Sequence, residues 1–187
     1  MRKDTRVFEA NPQGGGAFGD LPEWDLSDLY TSEDAPELQA DLKRLEKDCN
    51  DFSADYDGKL AELNADEMLQ AVERYEAIDI IAGRIMSFAG LRYYQLTTDP
   101  ERAKFMSDMQ NKLTEYTTKL VFYGLEFNRL EEEALSKLLA QNAALARYKP
   151  VFDRMRAMKP YQLSDELEKF LHDQSVVGAA AWNRLFD

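Results

Sequence analysis

Few residues in this chain have a type able to carry chemistry, and their spacing limits what each could do. His172, in "FLHDQ", is the single histidine, and Cys49 is the single cysteine. An H-E-x-x-H zinc site needs two histidines on one helix face, and a structural zinc site takes four N or S ligands. One of each residue cannot assemble either. A Ser-His-Asp triad would need a nucleophile elbow, and no G-x-S-x-G occurs. His172 falls near the C-terminal end of a short predicted helix, where a cation is mildly favourable, and reads as a structural or surface residue. Cys49 sits on a helix seam without a cationic neighbour facing it and reads as an inert buried thiol.

Other patterns imitate sites. Gly14, Gly16 and Gly19 spell G-x-G-x-x-G, but a dinucleotide fingerprint must join a strand to a helix N-terminus. "LPEWD" follows instead, so the glycines read as a flexible leader. Glu131, Glu132 and Glu133 could be taken for paired catalytic carboxylates. Successive helical residues point roughly 100° apart, so the three fit an acidic first turn better than one substrate atom. Arg92, Tyr93 and Tyr94 could form part of a binding surface, yet aromatics at helical spacing read first as core. No catalytic, cofactor-binding or metal-ligating residue is expected in these 187 residues.

The elements that would position any site are helical. Residues 1–20 form a glycine-rich leader, and 21–187 a helical domain. Leu38, Leu42, Leu45, Cys49, Phe52 and Tyr56 alternate at four and three residues, the seam of an amphipathic helix between Pro36 and Gly58. Asn64 and Glu67 predict a capping box for a second helix running to about Thr97. From Ala77 to Leu96 that helix is apolar on most sides and is expected to be the most buried element. Gly83 and Gly90 suggest close approach by a neighbour. Asp99, Pro100 and Glu101 open a third helix, whose seam (Met106, Met109, Leu113, Tyr116, Leu120, Tyr123, Phe127) predicts continuity over three heptads. Shorter helices follow at about 131–140, at 142–158 interrupted at Pro150, at 165–173 entered through Ser164, and from Ser175 onward. At the end, Trp182, Leu185 and Phe186 share an apolar side. The fold class is all-α, a multi-helix bundle with long antiparallel central helices. The two long seams share a period but no residue signature, so no internal repeat is assigned.

Composition excludes several functions. The 44% apolar fraction supports a packed core. A single cysteine fits a reducing compartment, "MRKDTRVFEANPQ" has no signal-peptide core, and no apolar run approaches the ~18 residues of a membrane span. The expectation is a cytoplasmic protein with no membrane. The net charge of −12 is concentrated in residues 20–70, which argues against nucleic acid as a partner. That acidic stretch reads as a solvated helix face, or as complementary to the basic cluster Arg147, Lys149, Arg154, Arg156 and Lys159.

Three passages carry a resemblance. "PEWDLSDLYTSEDAPELQADL" resembles the opening of oligoendopeptidase F and its relatives, the thimet-oligopeptidase-like zinc metallopeptidases, through Trp24, Asp25, Leu26, Leu29 and Tyr30. "LRYYQLTTDPERAKFMSDMQ" and "LSDELEKFLHDQSVVGAAAWNRLFD" continue it in the same order. The resemblance implies the N-terminal lobe of a helical peptidase that hydrolyses short peptides in an enclosed channel. It implies zinc held by an H-E-x-x-H motif and a downstream glutamate, none of which is present in this chain. This lobe would then be part of the channel wall, inactive alone, with the C-terminal catalytic lobe as its partner. The stop at Asp187 then reads as a boundary within a longer chain. The alternative is a free-standing helical interaction module without enzymatic activity.

Overall fold

Pro36 at the first helical position and the seam behind it produce α1 (Pro36–Tyr56), on which Leu38, Leu42, Leu45, Cys49, Phe52 and Tyr56 are all buried. The computed structural model describes residues 25–186; the glycine-rich leader, its G-x-G-x-x-G and Trp24 lie outside the described residues. Gly58 follows α1 with φ +80°, a conformation that favours glycine. Asn64 then caps α2 (Ala65–Gln95): its side chain accepts from the amides of Asp66 and Glu67, while Glu67 Oε2 accepts from Asn64 N at 2.9 Å. The predicted capping box is present.

Residues 96–99 reverse the chain into α3 (Pro100–Thr117), capped by Asp99. Phe88 meets Phe105 edge-on with ring centroids 6.1 Å apart, and Arg102 donates to the Arg92 carbonyl at 3.2 Å. Late α2 thus faces early α3, so the two are antiparallel. The α1–α2 pair is antiparallel too: Arg74, Arg84 and Arg92 of α2 meet Asp55, Asp41 and Glu33 at 2.7, 3.4 and 3.4 Å. This ladder corrects the idea that the basic cluster at 147–159 answers the acidic stretch. Lys149 pairs with Asp153 and Arg156 with Glu132 instead, because those residues share or neighbour their own helices.

The third helix is not continuous. A 3-10 turn at Thr118–Leu120 separates α3 from α4 (Val121–Arg129). Thr117 and Thr118 donate their hydroxyls to the carbonyls of Leu113 and Thr114, at 2.8 and 2.7 Å, and such back-bonding bends helices. The seam residues Leu120, Tyr123 and Phe127 stay buried across the break. Then come α5 (Glu132–Gln141), α6 (Ala143–Ala146) capped by Asn142, α7 (Lys149–Ala157), α8 (Asp165–Gln174) and α9 (Ala179–Phe186). Among the described residues every regular element is helical, an all-α multi-helix fold.

Two cores result. The larger joins α1, α2 and α3 to the start of α4, centred on Phe52, whose ring contacts Tyr56, Tyr75, Phe122 and Tyr123 with centroids 4.8–5.9 Å apart. The smaller gathers Met68, Val72, Phe127, Leu135, Leu145 and Phe152. The expectation that α2 is the most enclosed element holds on the sides that α1 and α3 cover. It fails on a third side, where Ile80 is 64% exposed. Gly83 and Gly90 do not mark a close helix crossing either: a Cβ at Gly83 would meet nothing within 4 Å, and one at Gly90 only Tyr94 of its own helix.

Candidate functional site

The residues singled out for chemistry do not converge. Cys49 is fully buried in the larger core, where burial pushes its thiol up to about 11; a thiol so shifted is a poor nucleophile. His172 lies on α8, its Nε2 3.1 Å from the Thr117 hydroxyl, and it serves as a tether between α8 and the α3 terminus. Glu131 and the Glu132 and Glu133 behind it start α5, with Glu132 on Arg156. Tyr93 is core as expected, whereas Tyr94 is 62% exposed. Arg92 is held by Glu33 and Gln95. The described residues do not fit a zinc ion: no three His, Cys, Asp or Glu side chains among them are grouped to hold one.

The segment "DLSDLY" is structural at close range. Asp25 Oδ1 accepts from Ser27 N at 2.9 Å, which holds its carboxyl below the usual range. Tyr30, 2% exposed, donates to Asp41 Oδ2 at 2.7 Å, packs its ring edge-on to Phe88 and lies under the Arg84 guanidinium. Burial first, and the Asp41 carboxylate second, raise its phenol well above the ordinary value. Leu26, Leu29 and Tyr30 therefore fasten the chain onto α1 and α2, while Asp25 only closes the local turn with Ser27.

The unusual surface is at the other end. Ser164 precedes α8, but its side chain makes no cap; Glu168 Oε1 accepts from Leu163 N at 2.8 Å instead. Asp165 pairs with Arg129, and Asp173 accepts from Thr118, so α8 is pinned to α4 and the 3-10 turn by polar contacts. No α8 residue is buried. Leu163, Leu167, Phe170, Leu171, Val177, Trp182 and Leu185 are each 48–75% exposed; the Phe186 side chain lies outside the described residues. No described element covers these apolar groups, and a monomer rarely exposes so many on one segment. Sequence reading missed two more residues. Asn128, 7% exposed, has a buried side-chain oxygen without a hydrogen-bond partner, and so does Gln162. Neither has a pattern that sequence alone would flag.

The class is thus an all-helical domain with an anchored first segment and an uncovered apolar end. The family described as Oligopeptidase F matches residues 126–187, the stretch that holds this end. The chain is 24% identical to "Oligoendopeptidase F, plasmid" of Lactococcus lactis subsp. cremoris over 155 residues, 81% of this chain and 25% of that protein. It is 24% identical to the "Oligoendopeptidase F homolog" of Lactococcus lactis subsp. lactis over 79% of this chain and 24% of the relative. "Oligopeptidase PepF" of Bacillus subtilis is 25% identical over 86% of this chain and 23% of its own length. The chain spans about a quarter of the curated relatives it matches. No solved structure matches it at the same stringency. The chain is thus similar to oligoendopeptidase F proteins over most of its length, with the family match confined to its last third.

Proposed function

We propose that this domain is the N-terminal lobe of a cytoplasmic zinc metallopeptidase that hydrolyses short peptides in an enclosed channel. Its part is to form a stretch of channel wall; it holds no zinc and is inactive alone. A narrow channel admits short, unfolded peptides and excludes folded proteins, so the lobe contributes to selectivity rather than to bond breaking. The observation that carries this reading is the apolar face of α8 and α9, Leu167, Phe170, Leu171, Trp182 and Leu185, within the stretch matched to the Oligopeptidase F family. The catalytic lobe is the partner that covers it. In the parent, two histidines and a glutamate outside these residues would hold zinc, and the ion would activate water.

The test uses an internally quenched peptide. The 187-residue chain should cleave none, with or without added zinc, and chelator-sensitive cleavage by this chain alone would overturn the reading. A reading frame continuing to H-E-x-x-H should yield a chelator-sensitive enzyme, in which Phe170→Ser lowers activity by loosening the lobe. A stop codon directly after Asp187 would instead favour a free-standing interaction module.

A further inference from the structure

The chain beyond α7 is joined to the rest of the molecule without sharing its cores. Among the described residues none after Phe152 is buried, and neither core holds a residue beyond Met155. α8 is set with its faces reversed. Its half-buried positions are Asp165, Glu168 and His172, three and four residues apart, while Leu167, Phe170 and Leu171 face water. It meets the ends of α3 and α4 and the 3-10 turn between them through Thr117, Thr118 and Arg129, and Gln162 ahead of it donates to the Leu125 carbonyl at 3.4 Å. The seam itself is hollow. A space of about 340 Å³ is lined by both Gly124 of α4 and Glu168 of α8. Another of about 220 Å³ is lined by Ala82 of α2 and His172, and a third of about 370 Å³ by Gly83 of α2 and Ala180 of α9. A Cβ on Gly83 or Gly124 would meet nothing within 4 Å.

Native interiors are close-packed, and a seam left hollow gives up the dispersion contacts that hold elements together. Polar contacts between half-exposed groups exchange readily with water, so they locate α8 without fixing it. Segments with few buried apolar contacts open at lower free energy than a core, and they open in cooperative units. The link suits such an opening: α7 reaches α8 through a 3-10 turn at Lys159–Tyr161, on which no residue is buried. We propose that α8 and α9 form an arm that undocks from the α1–α7 body as one unit while the body stays folded. Undocking removes no residue from either core, and it frees the apolar side of the arm to turn towards whatever covers it. The inference stands whether or not a peptidase lobe follows.

The test is native-state amide exchange of the ¹⁵N-labelled 187-residue chain at rising, sub-denaturing urea. Amides of α8 and α9 should share one opening, with a common urea slope smaller than that of α1 and α2. They should exchange at least about 100-fold faster than the slowest α2 amides. Thr117→Val and Arg129→Ala lie on the body, and each should speed exchange throughout the arm by about threefold, at residues far from the substitution as well as near it. If both variants fail to fold, the slopes of the unsubstituted chain still decide. Arm amides that open only together with α1, that fray singly from the chain end without a shared slope, or that show no protection would each overturn the proposal. Folded body variants that leave arm exchange unchanged, or that speed only the nearest amides, would do the same.

Discussion

α1 and α8 are both amphipathic, and their surroundings are opposite. Along α1 every seam residue from Leu38 to Tyr56 is buried, and arginines of α2 hold its polar side. Along α8, Leu167, Phe170 and Leu171 are at least half exposed, and the helix is held by its polar groups. The periodicity of a helix specifies a face to be covered, not the neighbour that covers it. In α1 that neighbour lies within the chain; for α8 no described element supplies it.

Matched truncations should make the contrast quantitative. Phe52→Ala removes the centre of the larger core and should cost about 3–5 kcal/mol by urea denaturation. Phe170→Ala on α8 should stay within about 0.5 kcal/mol. Similar costs at both positions would break the comparison.

Next in size is an alkaline effect confined to the larger core. Burial raises the Cys49 thiol from 9.0 to about 11, and raises Tyr123 as well. With a raised folded value, the unfolded chain ionises first. The stability contributed by Cys49 is therefore intact below pH 9 and declines as pH rises towards 11, by about 1.4 kcal/mol per pH unit while the two states differ. Urea midpoints should fall across that window, and Cys49→Ala should flatten the fall. An unchanged profile in the variant would refute the assignment.

Glu126 offers a finer test of how the first region is tied together. Its carboxylate accepts from Gly58 N at 2.6 Å and Leu60 N at 3.3 Å, strapping the turn after α1 to α4. Glu126→Ala should cost about 1–3 kcal/mol, since two backbone donors lose a charged acceptor. Smaller again is Gly58→Ala, where the positive φ should cost about 1 kcal/mol. In both cases the thermal midpoint should drop while helical circular dichroism persists. Loss of helix content would mean that the turn organises more than its own junction.

Much of this fold was legible because its signals are local. The α1 seam, the Asn64–Glu67 box and the Asp99-Pro100 start are set within a few residues, and all lie where the pattern put them. The break after Thr117 was not legible, because the hydrophobic period runs through it and the cause is a pair of hydroxyls competing for backbone carbonyls. The ladder from Arg74 to Arg92 depends on how α1 and α2 lie against each other, which no spacing encodes. Gly83 and Gly90 gave a misleading signal: a missing side chain permits close approach but does not require it. The site was least legible of all. Asn128 and Gln162 stand out only once their surroundings are known, since an unmet carbonyl is a property of packing.

The Thr118 hydroxyl carries one hydrogen, yet two oxygens lie within its reach, the Thr114 carbonyl and a carboxylate oxygen of Asp173. A single proton cannot serve both fully. The bend at the end of α3 and the seat of α8 therefore draw on one shared atom: tightening either contact slackens the other. The direction in which the apolar end of the molecule points is thus coupled, through one proton, to how sharply the long helix turns.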